Sequence, residues 1–166
     1  HGGEQTMEVR KAVTGIAVDS NVAKITVRGV VDRPGVAAGL LKPLADEGVS
    51  VDVIVQNTSS DGTTDFTFTV GQASVVKAAQ LIEDQSVIEY AEVITGSDLA
   101  KVSIVGTGME NAPGYAARMF STLSEAKVNI DMITTSEIRI TTIIDREQVQ
   151  KAVQSLHDAF ELEKSQ

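Results

Sequence analysis

Residues Val30–Ala38 read VVDRPGVAA, and residues Met109–Ala117 read MENAPGYAA. In both, an apolar run meets a Pro-Gly pair and passes directly into a small, apolar, helix-like segment. Extending outward makes the repetition clear. KITVRG (Lys24–Gly29) precedes the first turn and KVSIVG (Lys101–Gly106) precedes the second, each alternating apolar and polar residues as a half-buried strand does. After the turns, GVAAGLLKPLADEGVSVDVIVQN lies over GYAARMFSTLSEAKVNIDMITTS without a gap. Ala37, Ala38, Leu44, Val49, Asp52 and Ile54 fall on Ala116, Ala117, Leu123, Val128, Asp131 and Ile133. Only two extra residues are needed, in the loop before the second turn. The chain is a tandem duplication.

Each copy reads strand, helix, strand, strand, helix. Val36, Leu40 and Leu44 share a helical face with Ala37 and Leu41, and the second copy places Ala116, Met119, Phe120 and Leu123 likewise. The second helices carry Val75, Ala79 and Ile82, and Val149, Val153, Leu156 and Phe160. VSVDVIVQ and VNIDMITT are β-branched strands, returned by DFTFTV and EIRITTII. The SSDGTT between the first pair is a turn in which Asp-Gly supplies positive φ. Pro43 falls inside the first helix; Gly39, four residues back, softens the clash, so a kink is expected there.

A fourth strand completes each sheet. SVIEYAEVI (Ser86–Ile94) follows the first copy, whereas only ELEKSQ follows the last helix of the second. VRKAVTGIAV (Val9–Val18) stands unused at the start, and a short turn joins each spare strand to VAKIT or LAKVS. The N-terminal strand is therefore expected to close the second sheet, with the first domain inserted in the second. The fold expected is α+β: two ferredoxin-like βαββαβ domains in tandem, antiparallel sheets with helices on one face. The expected domains are residues 20–96, and residues 9–19 plus 97–162, with tails at 1–8 and 163–166.

Composition narrows the function. The chain of 166 residues has 14 Lys and Arg against 23 Asp and Glu, a net charge of −9, and only 4% aromatic residues. So acidic a surface repels phosphate backbones and anionic lipid, which argues against nucleic-acid and membrane partners. There is no Cys, which excludes disulfides and thiolate sites and fits a reducing cytoplasm. No cofactor and no metal are expected, and no catalytic set accompanies His157. The opening HGGEQT reads as a remnant or the tail of a preceding piece, with Met7 as an alternative start.

The turn itself has two readings. Architecturally, Pro suits the first helical position and Asp32 offers a cap. Functionally, Gly35 bares a helix N-terminus whose free amides suit a carboxylate. Asp32 could receive an ammonium and Gln56 offers an amide, which together describe a pocket for a free amino acid.

VTGIA, DRPGVAA, VDVIVQN, TTDFTFTV, KVSIVGTGM, APGYAARMF, VNIDMITTSEIRI and SLHDAF resemble the tandem ACT domains of bacterial aspartate kinase, in the form of its separate regulatory β subunit. The resemblance covers about residues 7–162. It implies allosteric feedback, in which an end-product amino acid, threonine and/or lysine, binds between paired ACT domains and restrains phosphorylation of aspartate. By that resemblance Asp32, Pro34, Gly35, Val36, Ala37 and Gln56 form one wall of the effector site, and Asn129, Ile130 and Asp131 the facing wall. Asn57, Thr64 and Asp65 are secondary candidates. Asn111 and Ala112 replace the Asp-Arg pair in the second turn, so that turn departs from the binding pattern. The implied partners are the free effector, a second copy through the ACT domains, and the catalytic subunit or kinase domain. Nothing in the chain resembles the family's nucleotide-binding segment, so no activity is expected of it alone. Gly35→Val is expected to abolish effector binding with the fold largely intact. The alternative is a purely structural dimerisation module that binds no ligand.

Overall fold

The computed structural model describes residues 13–107 and 114–161. In chain order the elements are β1 (Val13–Val31), α1 (Val36–Asp46), β2 (Val51–Thr58), β3 (Thr63–Gly71), α2 (Val75–Asp84), β4 (Glu92–Gly106), α3 (Gly114–Glu125), β5 (Met132–Thr135), β6 (Arg139–Asp145) and α4 (Val149–Phe160). Single turns of 3₁₀ helix, Gln72–Ser74 and Arg146–Gln148, lead into α2 and α4.

Two compact units emerge, residues 21–99 and the described residues up to Ser20 together with those from Ala100. Strand order is β2-β3-β1-β4-β6-β5. Because β1 and β4 each contribute to both units, one unit reads β2-β3-β1-β4 and the other β1-β4-β6-β5. The start of β1 thus completes the sheet of the second copy, as the spare strand suggested; Val9–Ala12 lie outside the described residues.

The strand boundaries differ from the sequence reading. No turn separates the spare strands from VAKIT and LAKVS: β1 and β4 are single strands of 19 and 15 residues. Residues 86–91 are not strand. At the two crossing points, long-range side-chain contacts hold the backbone. Gln72 Nε2 donates to Asp98 Oδ1 at 3.1 Å, and Gln72 Oε1 accepts from the Asp98 amide at 2.9 Å. That pair holds Asp98 at φ 59 inside β4. In the other unit Arg146 Nε donates to the Ser20 carbonyl at 2.7 Å.

Each unit has its own core, built from the period-two strands and the period-3.6 helices. In the first, Ile25, Val27, Phe66 and Phe68 alternate onto one sheet face, where Leu40, Leu44 and Ile82 meet them. In the second, Val102, Ile104, Ile140 and Ile144 meet Met119, Leu123 and Leu156. On α1 the buried stripe is Val36, Leu40 and Leu44, while Ala37 is exposed and Leu41 half-buried. On α3 Tyr115, Met119 and Leu123 are buried, and Ala116 and Phe120 only partly so.

Pro43 does not interrupt α1. The carbonyl that its missing N–H would have used belongs to Gly39, so one helical hydrogen bond is given up there. Gly39 is small for a packing reason: a Cβ there would lie 2.6 Å from Ile88 Cδ1. Gln85 fixes that loop, accepting from the Val87 and Ile88 amides at 3.0 and 2.8 Å.

Candidate functional site

A bulge in β1 aims the Pro-Gly turn. Pairing with β3 shifts between Val27 and Val30, and Gly29 adopts φ 69 there. Asp65 Oδ1 accepts the Gly29 amide at 2.9 Å, so this carboxylate, a secondary ligand candidate by resemblance, is engaged in holding the bulge. The chain then leaves the sheet beside the start of β3, where the Asp32 amide donates to the Gly62 carbonyl at 3.0 Å.

Asp32 does not cap the helix. The N-cap is Gly35, in the left-handed conformation at φ 93 and ψ −4, and no side chain caps α1. The left-handed glycine starts the helix at Val36, so Asp32 stands three residues ahead of the cap and Pro34 lies in the turn. Of the first helical amides, that of Val36 makes only a 3.4 Å bond to the Arg33 carbonyl. Those of Ala37 and Ala38 have no acceptor among the described residues. Such amides leave a partial positive charge at the helix start. Asp32, Pro34, Gly35 and Ala37 are exposed and Val36 is buried beneath them. Arg33 Nη2 donates to the Val87 carbonyl at 3.4 Å, and the exposed Asp32 carboxylate places a negative charge beside the turn. Space beside Gly35 is open, with no atom within 4 Å of an added Cβ, but its φ strains any L side chain. Gly35→Val therefore carries local backbone strain even though the space for its side chain is open.

Gln56 belongs to the same end of the same sheet. Thr58 pairs with Thr64 and Val31 with Thr63, which aligns the end of β2 and the end of β1 on either side of the start of β3. Gln56 is exposed, and its Nε2 donates to Thr64 Oγ1 at 3.2 Å. Thr64, which has no exposed surface, donates in turn to the Asn57 carbonyl at 3.1 Å. In the adjoining turn Gly62 adopts φ 85, as Asp-Gly suggested.

Asn129, Ile130 and Asp131 belong to the other unit, on the approach to β5. Asn129 and Asp131 are exposed, and Ile130 packs partly against the core. The Asp131 amide donates to the Ile143 carbonyl at 2.8 Å, fixing the segment to β6. Asn129 and Ile130, with Phe120, Ser124, Lys127 and Val128, line an open cleft of about 450 Å³. Of the second Pro-Gly turn, Asn111, Ala112 and Pro113 lie outside the described residues, and Gly114 is the first residue of α3. Among the described residues no three His, Asp or Glu are grouped to hold a metal ion, and no helix is long and apolar enough to cross a membrane.

Sequence comparison matches an ACT-domain family model to residues 24–86 and a second to residues 102–160. The aspartokinase of Pseudomonas aeruginosa is 44% identical over 161 residues, which make up 96% of this chain and 39% of that protein. The chain therefore spans about two fifths of the length of such relatives. A crystal structure of aspartokinase α and β subunits contains a chain 45% identical to this one. It superposes with a TM-score of 0.84 and is covered to 100% by 91% of this chain. The ligand-free regulatory subunit of aspartate kinase from Thermus thermophilus is 39% identical with a TM-score of 0.84, covering 90% of this chain and 99% of its own. The chain belongs to the family of tandem ACT-domain regulatory regions and subunits of aspartate kinase.

Proposed function

We propose that this chain is the amino-acid sensor of an aspartate kinase, binding threonine, lysine or both and restraining the kinase when they accumulate. The observation that carries this reading is the uncapped start of α1, exposed beside Asp32 in a chain of this family. An amino acid fits it end by end. Its carboxylate takes the amides of Ala37 and Ala38, with Gly35 and Val36 forming the backbone ledge; its ammonium takes Asp32; Pro34 closes the turn. Gln56 lines the wall on the β2 side. Asn129, Ile130 and Asp131, presented by the neighbouring ACT domain of a second copy, form the facing wall and exclude water.

Regulation follows from linkage. An effector seated between two domains favours whichever arrangement completes its site, and it shifts the kinase only by its difference in affinity between arrangements. The kinase that responds is the catalytic subunit, or a catalytic domain in the same polypeptide; the α and β subunits of the solved relative are a precedent for such an assembly. The setting proposed is the cytoplasm, where the amino acids are made.

Calorimetric titration with threonine, lysine and methionine tests the reading. Saturable heat is expected from threonine, lysine or both, and none from methionine. No heat from any of them at millimolar concentration, with a stable dimer, would instead make the chain a structural dimerisation module.

A further inference from the structure

The β2 wall of the effector site carries a relay whose polarity follows from the groups themselves. A carbonyl oxygen only accepts, and a hydroxyl has a single hydrogen. The Thr64 hydrogen is committed to the Asn57 carbonyl, so toward Gln56 the hydroxyl offers a lone pair. Only the NH₂ of Gln56 can meet it, and the amide cannot turn over without losing that bond. Gln56 Oε1 is thereby directed away from Thr64, and it has no donor among the described residues. Gln56 is exposed, whereas Thr64 is fully buried and cannot touch a ligand itself.

We propose that Thr64 positions Gln56 so that Oε1 is a fixed acceptor facing the effector, which makes the site selective for amino acids whose side chain carries a hydrogen-bond donor. This rests on the sensing function proposed above. The α1 amides sit at the end of β1, and β2 lies two strands away, about 10 Å across the sheet. An amino acid held by its carboxylate at α1 directs its side chain toward β2. The donor is the hydroxyl of threonine or the terminal ammonium of lysine, which lie at different distances from the carboxylate, so the reach to Oε1 decides between them. Valine and norleucine have the corresponding shapes without the donor, and they leave Oε1 covered and unpaired.

The test is calorimetry on the whole chain with two matched pairs, threonine with valine and lysine with norleucine. In the pair that contains the effector, the donor-bearing member is expected to bind roughly tenfold tighter or more. Thr64→Val should reduce that ratio to about threefold or less, and Thr64→Ser should restore it. In a Gln56→Leu background, Thr64→Val should change the ratio no further, because Thr64 acts only through Gln56. Equal affinities within the pair, or an undiminished ratio in Thr64→Val, overturn the inference while leaving effector sensing intact. Heat from none of the four ligands overturns both. Should Thr64→Val not fold, the exposed Gln56→Leu decides alone: a collapsed ratio supports the positioned acceptor and an unchanged ratio overturns it.

Discussion

Replacing Gly35 by Ala isolates the backbone feature on which the site depends. Gly35 has φ 93 and ψ −4, and an added Cβ meets nothing within 4 Å. Packing therefore contributes nothing, and only conformation is changed. Placing a non-Gly residue in the left-handed region costs about 1–2 kcal/mol. Restricting the unfolded chain returns about 0.4–1 kcal/mol. The net loss is about 1 kcal/mol, a melting temperature roughly 4–8 °C lower for a unit of this size. Gly71 provides the control within the same unit. It is equally open to a Cβ but has φ −61 and ψ 143, which Ala adopts freely. Gly71→Ala should therefore gain about 0.4–1 kcal/mol. Gly35→Asn should fall between Gly35 and Gly35→Ala, since Asn tolerates left-handed backbone better. Calorimetric melts and urea midpoints at unchanged m-value measure all three. Opposite shifts for the two alanine variants are expected; shifts in the same direction would refute a left-handed Gly35 and, with it, the way α1 presents its amides.

Gly39→Ala drives a methyl to within 2.6 Å of Ile88 Cδ1 and should cost about 1–3 kcal/mol. Combined with Ile88→Ala it should cost clearly less than the sum of the two single changes, and additive losses in a double-mutant cycle would show that the contact is absent. Burial holds the Tyr115 phenol above its ordinary value of 10.0, against an opposing effect of the Arg118 charge. Raised in the folded state, this group contributes stability that is complete below pH 10.0 and lost as pH rises through the folded value. The melting temperature should accordingly fall on the alkaline side, and Tyr115→Phe should flatten that limb; an identical limb in the variant would assign it elsewhere.

The duplication and the helix stripes were legible because both are periodic, and periodicity survives in one dimension. Val36, Leu40 and Leu44 recur at helical spacing and are all buried. The crossing points were not legible. Asp19–Asn21 and Gly96–Asp98 consist of turn-forming residues, yet both segments are strand. The contacts that hold them within continuous strands come from Arg146 and Gln72, far away in sequence, where local propensity has no access. The helix start was misplaced for a related reason. Pro34 marks a first helical position by its usual preference, but a left-handed Gly35 moves the start two residues on, to Val36, and removes Asp32 from capping distance. Gln56 could be chosen from its place at a strand end; the burial of Thr64 beneath it depends on strand register, which the sequence pattern leaves open.

The most direct test follows the backbone amides of the chain by NMR while threonine, then lysine, is titrated in. If an effector carboxylate is held at the start of α1, the Gly35, Val36, Ala37 and Ala38 amides should show the largest saturable shifts, with one common affinity matching the calorimetric heat. Saturable binding that leaves those four amides unmoved while shifting others would contradict it.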